Sequence, residues 1–519
     1  MISRRRFLRT VSQSAAVAAV GCSGVRPPTA PWAQASPSSS HAIADLALEE
    51  ARRAGASYAD VRVTRSALHR LYLEDRHVEL DEGFETSGRG SGFFIRVVSN
   101  GAWGFAHGQS PDPDAVRAAV REAIACAAAG AARSGPRVRL TGAGAPRLVR
   151  ALHGYRDAAH VPRDQKIAAL LSVNEALMKT RGVIHADVGV TIDWEWRLVA
   201  TSDGARLEEE TARMSAACTV HAQRGRRLRS RSFTAPPRPG GWETFDPAAL
   251  RVQCDRLAAE AVEKCSARFF EERRVDLVVM PTHAVLLLHE CFGPPTEADR
   301  LIGALTKPAA VRFQAADLGS LSCGSPLLNV SGGSAIGRTF DDEGVEIRPF
   351  PIVRDGVLVG AQTTRDTALA VSASASASTG SARAVGWASP PLLRSSDLSI
   401  APAPRAGSLD ALLADTGSGV IVDGAGTWRP GPGGGIEWKP DAAWAITNGR
   451  RAAMLDDVRY VGSAAELFRA MNATSDTAEI GSMRSASKGS PPQHLRHDHR
   501  APALRFSQVR VASGSRSGP

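Results

Sequence analysis

The chain has 519 residues, a formal net charge of +10, 43% hydrophobic and only 5% aromatic residues, and seven cysteines. That length allows more than one buried core. The cysteines form no Cys-x-x-Cys pair, which argues against zinc ribbons and dithiol redox motifs, and so few aromatics argue against a base-stacking nucleic-acid surface despite the basic charge.

Ser3-Arg4-Arg5-Arg6-Phe7-Leu8 fits a twin-arginine export signal. The apolar stretch from Val11 to Val20 is too short to anchor the chain across a bilayer. Residues 1–35 are therefore read as a signal, and the protein is expected in the periplasm or cell envelope. Two processing points compete. Ala33-Gln34-Ala35 is a small-x-small site before Ser36, and Ala19-Val20-Gly21-Cys22 is an imperfect lipobox that would put a lipid on Cys22.

Residues 36–41 are Ser/Pro-rich and read as disordered. Ile43 to Arg53 has helical apolar spacing that stops near Gly55. Tyr58–Thr64 and Leu71–Leu80 alternate as strands, and Gly92–Val98 and Ala102–Ala106 form a pair across Asn100-Gly101. Asp114–Ala132 and Pro162–Lys179 read as helices. His185–Ala200 and Arg206–Gln223 read as long strands turning at Asp203-Gly204. The Pro/Gly cluster Ala235–Gly241 marks a domain boundary. Helix Pro247–Lys264 and strand Val275–Met280 follow, with hairpins at Asp355-Gly356 and Asn448-Gly449 and a low-complexity run over Val371–Ser378. The expected fold class is α+β in two domains. A mixed α/β domain spans residues 36–240, and a β-rich domain over 241–519 carries the motif helix described next.

The apolar run Val285–Leu288 leads into His289-Glu290, the setting of a metal-binding histidine followed by a general base. A second histidine is due one turn later, but those positions hold Gly293 and Pro294. Pro294 has no N–H, and its ring clashes with the carbonyl of Glu290. Pro295 pushes Pro294 itself out of the helical region, so the helix is expected to end near Phe292.

This stretch resembles the TldD/PmbA family of metallopeptidases, on the TldD side, whose members carry His-Glu-x-x-x-His. The resemblance extends over roughly residues 40–512. It includes Gly101–Ala106, Phe340-Asp341-Asp342-Glu343-Gly344, Arg354–Gly360, Arg383 with Pro391 and Arg394, Lys488–Gln493, and His499-Arg500-Ala501-Pro502. It implies a dimer, with itself or with a family member, that holds a peptide or unfolded polypeptide as an added strand. In active relatives it implies zinc held by two histidines and a late cysteine, with the glutamate as base. Here His289 and Glu290 survive as a vestigial ligand and a vestigial base. The second histidine has become Pro294, and Met483–Ser487 holds no thiol in place of the cysteine. Since catalytic zinc normally takes three protein ligands, no cofactor is expected. The leading expectation is an exported, catalytically impaired homologue that binds peptides or a partner subunit. The alternative is an active zinc peptidase with a rebuilt site.

Other features keep two readings. His494, His497 and His499 are either a flexible basic loop or substitute zinc ligands, and only His499 matches a family histidine. Asp341-Asp342-Glu343 is either an acidic metal site or a solvated turn. Arg224–Arg231 reads as a solvated hairpin or linker with no nucleic-acid role. Cys291 reads as a small buried hydrophobe rather than a nucleophile. Gly431–Gly435 reads as a turn, because no Gly-Lys-Ser/Thr follows it.

Overall fold

The computed structural model describes residues 37–82, 90–110, 112–133, 137–143, 147–150, 161–305, 311–335, 337–372, 375, 377–431, 435–484 and 487–514. The twin-arginine segment, Cys22 and Ala35 lie outside these residues, as do Ser485 and Ala486. The architecture is α+β, built on two large sheets.

Helix α1 (Pro37–Arg53) begins inside the stretch expected to be disordered. Its apolar stripe, Ile43, Ala44, Ala47, Leu48 and Ala51, is buried, and that burial orders the preceding serines with it. The two strands expected between Tyr58 and Leu80 are instead one long strand, β1 (Tyr58–Glu74), and a short return, β2 (His77–Glu82). The turn sits at Asp75-Arg76, both with positive φ. It carries no glycine or proline, so it left no turn signal in the sequence.

The rest of the first sheet comprises β3 (Ser91–Ser99), β4 (Ala102–Gly108), β5 (Arg147–Arg150), β6 (Val183–Thr201), β7 (Arg206–Arg224), β8 (Arg227–Thr234) and β9 (Arg238–Pro239). The order is β4-β3-β1-β6-β7-β5, with β2 on β1 and with β8 and β9 on β7. Helices α1, α2 (Pro113–Ala131), α3 (Arg163–Lys179) and α4 (Pro247–Lys264) cover one face. Strand alternation decides which side chains they bury. Odd residues of β1 (Val61, Val63, Leu71, Leu73) and even residues of β6 (Ala186, Val188, Leu198, Ala200) form these cores. The opposite parity puts Asp60, Arg62 and Arg197 on the other face, where they are also buried. Helix α4, expected with the second domain, packs its Leu250, Cys254, Leu257 and Ala261 on the first sheet. The change of sheet therefore comes after Cys265, not at the Pro/Gly cluster near 240.

The second half contains β10 (Arg273–Val279), helix α5 (Pro281–Phe292), β11 (Val330–Gly333), β12 (Phe350–Arg354), β13 (Val357–Leu358), β14 (Ala382–Arg383), β15 (Leu392–Leu393), β16 (Asp397–Ile400) and β17 (Gly419–Asp423). It continues with β18 (Thr427–Pro430), β19 (Ile436–Lys439), β20 (Ala442–Thr447), β21 (Arg450–Leu455), β22 (Val458–Gly462), β23 (Met471–Arg484) and β24 (Arg496–Ser513). The main sheet runs β13-β12-β11-β16-β24-β10-β17-β20-β21, and β14 pairs only with β15. Strand β24 is its hub, bonding to β10, β16, β22 and β23. Helix α5 lies on this sheet. Its Leu287, Leu288, Cys291 and Phe292 are at most 1% exposed, and each large side chain is worth about 1.5–3 kcal/mol of burial.

The arginine-rich β7–β8 hairpin is a hairpin as expected, but it is not simply solvated. Alternation turns Arg231 inward, where it is 1% exposed and bonds Glu260 (2.8 Å), Asp423 (2.9 Å) and Asp441. Arg229 pairs with Asp456 at 2.9 Å. The hairpin is thus bolted to the second half by desolvated charges.

Candidate functional site: a closed histidine cluster at the end of the motif helix

Pro281 starts α5 in the first turn, where a missing N–H costs nothing. The helix stops at Phe292, as the prolines require, and Pro294–Thr296 forms a 3-10 turn. A Cβ on Gly293 would stand 2.5 Å from the His289 carbonyl and 3.1 Å from its ring. Only glycine allows the chain to turn this closely beneath His289.

The late histidines are not a flexible loop. His497 and His499 lie on β24, two residues apart and so on one face, and they pack against His289. Ring centroids are 5.0 Å (His289–His497), 5.1 Å (His289–His499) and 5.7 Å (His497–His499) apart. None of the three is more than 1% exposed. His494 points to the surface and takes no part. The signal that would have found this strand is the alternation Leu495, His497, His499, Ala501, Ala503. It was hidden because histidine counts as polar in a periodicity reading.

Burial, first of all, pushes all three imidazoles below their ordinary pKa. The neighbouring rings and arginines add to this: His499 and Arg394 act on His289, and Arg383 acts on His499, which falls to about 3. Neutral rings then have one proton each, and the hydrogen bonds locate two of them. The Leu398 N–H donates to His499 Nδ1 at 2.8 Å, so that nitrogen is bare. The His499 proton is therefore on Nε2, which donates to His289 Nδ1 at 2.8 Å. His497 makes no hydrogen bond through either ring nitrogen.

Zinc does not fit this arrangement well. A ligating histidine needs a proton on its other nitrogen, donated outward. His499 has the reverse, with its outer nitrogen already accepting from a backbone N–H. Two donors on one tetrahedral zinc stand about 3.3 Å apart, given bonds near 2.05 Å. His289 and His499 are closer than that, and the three rings do not bring one nitrogen each to within 4.8 Å of one another. The arginines beside them disfavour a dication as well. The positions that would complete a family site supply nothing: Pro294 lies in the turn, and Met483 is the β23 residue paired with His497.

Glu290 is half-buried, and burial raises its carboxyl above the usual range against a hydrogen bond from Trp428 and the charge of Arg300. Cys291 is fully buried, and burial pushes its thiol far up, as an inert core residue requires.

The other motif segments converge here. Lys488 bonds Glu297 (2.6 Å), Asp299 (2.7 Å) and the Leu393 carbonyl (2.8 Å). Gln493 accepts from Arg394 through its carbonyl at 3.4 Å and donates to the Pro390 carbonyl at 2.9 Å. Gln362 ties Gly293 to Ser396. Residues scattered from 293 to 499 thus brace one small region.

The acidic segment is neither a metal site nor a solvated turn. Asp341, Asp342 and Glu343 are at most 3% exposed. Asp342 meets Arg197 at 2.8 Å, and Glu343 meets Arg96 at 3.0 Å. Burial pushes Asp342 up, but the guanidiniums of Arg338, Arg62 and Arg197 outweigh it and hold the carboxyl well below its ordinary range. The same carboxylates accept from Ala382 N (3.0 Å, Asp341) and Ala384 N (2.8 Å, Asp342). Those residues flank Arg383. The segment therefore clamps the polar face of the first sheet to the strand that places Arg383 beside the histidines. Two clefts, of about 920 and 980 Å³, are lined by residues such as Asp45 and Arg206, and Arg229 and Asp441; neither borders the histidines.

Three family models match in succession: PmbA/TldA metallopeptidase domain 1 over residues 59–127, the central domain over 156–268 and the C-terminal domain over 272–513. A protein of Methanothermobacter thermautotrophicus described as a metalloprotease is 25% identical over 428 residues, covering 82% of this chain and 89% of its own. A metalloprotease of Archaeoglobus fulgidus is 26% identical over 452 residues, covering 83% and 97%. Among solved structures, TldE from Thermococcus kodakarensis superposes with a TM-score of 0.68 at 17% identity, covering 92% of this chain and all of its own. A Thermotoga maritima protein gives a TM-score of 0.70 at 16% identity, covering 91% and 100%. The three matched models together span most of the chain, and the protein belongs to the PmbA/TldA, or TldD/PmbA, metallopeptidase family.

Proposed function

We propose that this protein is a catalytically impaired member of its family that binds extended peptide or a partner subunit, and that it is exported by the twin-arginine route. One observation carries the first part. His289, the one motif ligand that survives, is hydrogen-bonded to His499, with the proton placed where a metal would have to bind. Without a metal to acidify water, whose free pKa is near 15.7, Glu290 has no activated nucleophile to deprotonate. Strand-edge hydrogen bonding to a peptide needs no metal, so binding can outlast hydrolysis. Arg4-Arg5 and the apolar segment behind them support export to the periplasm or envelope.

The test compares the wild type with Glu290→Gln for peptide hydrolysis and for binding of a fluorescent peptide. Binding that persists unchanged, with no hydrolysis attributable to Glu290, is expected. A hydrolytic activity abolished by Glu290→Gln while binding remains would overturn the proposal. A second reading, an active zinc peptidase with a rebuilt site, draws on His497, whose buried ring packs 5.0 Å from that of His289 and has no hydrogen-bond partner at either nitrogen. It requires one zinc per chain that His289→Ala and His497→Ala each remove.

A further inference from the structure

The structure assigns a divalent metal site to the first sheet, formed by His185, Asp187 and His221. Among the described residues, this is the only set of three or more such side chains whose ligand atoms all lie within 4.8 Å of one another. His185 and Asp187 are two apart on β6, so they share a face, and His221 is the β7 residue paired across from His185. All three have the parity that points away from the four covering helices.

The donor chemistry is what the motif site lacks. His185 Nδ1 donates to Asp75 Oδ2 at 3.0 Å, which leaves Nε2 as the nitrogen facing the cluster. That nitrogen is 3.3 Å from Asp187 Oδ1, the spacing of about 3.3 Å that two donors take on one tetrahedral zinc. The orienting carboxylate is itself fixed, because Asp75 Oδ1 accepts from Ala186 N at 3.0 Å. Asn174, fully buried, pins the same turn by accepting from Arg76 N (2.7 Å) and donating to the Ala186 carbonyl (2.9 Å). A carboxylate–histidine pair held in this way is the usual outer support of a metal ligand. Glu74 Oε1, 3.7 Å from His185 Nε2, is within reach as a fourth donor.

Charge points the same way. Glu74, Asp75 and Asp187 set three carboxylates around the His185 ring. A dication bound among them offsets part of this negative charge. Two imidazoles and a carboxylate suit zinc or a similar first-row ion rather than calcium or magnesium. The ion would staple β6, β7 and the β1–β2 turn together, independently of the motif helix.

The experiment uses the full-length protein without a metal-binding tag, stripped with EDTA and titrated with Zn²⁺, and with Co²⁺ for its visible d–d bands. One ion per chain is expected, with nitrogen–oxygen ligation in the cobalt spectrum and a rise in thermal midpoint on adding zinc. His221→Gln and Asp187→Asn should each weaken binding at least tenfold. Asp75→Asn should weaken it about 10–100-fold without removing it. His289→Ala should leave the affinity unchanged. His221 is only half-buried, so its variant should fold, and circular dichroism checks that it does. Absence of binding at millimolar zinc overturns the assignment. So does binding that is indifferent to His221→Gln and Asp187→Asn, or that is lost in His289→Ala.

Discussion

Replacing Arg197 with methionine tests the clamp that joins the first sheet to the histidine region. Arg197 is 1% exposed; it bonds Asp342 at 2.8 Å and Glu209 at 2.7 Å, donates to the Phe340 carbonyl, and stacks on the Phe340 ring at 4.3 Å. Methionine keeps most of the stem but strips every donor, leaving two buried carboxylates without their shared cation. Removing one partner of a buried ion pair costs about 3–5 kcal/mol. Some compensation survives. Asp342 keeps Ala384 N at 2.8 Å, with Arg338 at 3.7 Å and Arg62 at 3.9 Å. Glu209 keeps the Thr339 N–H at 2.9 Å and its hydroxyl at 2.6 Å. The loss should therefore sit at the low end, about 3 kcal/mol. Asp342→Asn removes the same ion pair from the other side. Its cost and that of Arg197→Met should fall short of additivity by at least about 1 kcal/mol in the double variant. Urea unfolding followed by tryptophan fluorescence reads the loss, because Trp194 and Trp196 flank the first sheet's share of the clamp. Arg197→Met costing less than about 1 kcal/mol, or strict additivity with Asp342→Asn, would refute the view that buried charge couples the two halves.

Two further outcomes follow from the geometry and a third from the sequence. Pro294→His should not create zinc binding at the motif helix, because residue 294 lies in the 3-10 turn and Pro295 still follows; metal analysis in a His221→Gln background reads this separately from the β6–β7 site. His283 is fully buried between the Gly424 carbonyl and the Tyr460 hydroxyl, and burial lowers it to about 4. Its contribution is therefore present above pH 6.5 and lost as the pH falls toward 4, at up to about 1.4 kcal/mol per pH unit, because only the unfolded chain takes up the proton. The difference in unfolding free energy between wild type and a His283→Leu, Tyr460→Phe double variant should carry that slope, and a flat difference would contradict it. Changing Arg4, Arg5 and Arg6 together to lysine should stop export in a fractionation assay, whereas undiminished export would remove the targeting proposal. Mass spectrometry of the exported chain then decides between Ser36 and lipidated Cys22 as its start.

Local chemistry was legible in the sequence wherever one residue constrains its own neighbourhood. Pro294 and Pro295 ended α5 at Phe292 through backbone clash. Two-residue alternation marked β6 and β7 nearly to the residue, and Asp355-Gly356 and Asn448-Gly449 marked their turns. What the sequence withheld was the partner of each buried charge. Arg197 and Asp342 lie 145 positions apart, and Arg231 and Asp441 lie 210 apart. Apart from Arg338, four positions before Asp342, the guanidiniums that meet Asp341-Asp342-Glu343 come from far along the chain. The same holds for His497 and His499, polar residues that periodicity assigns to the surface until β24 is seen as the hub of the sheet. Periodicity reports which face is apolar, because burial of apolar surface is a local property of a strand or helix. Whether a polar face is also buried depends on complementary charge brought from elsewhere in the chain, and only the tertiary structure supplies that.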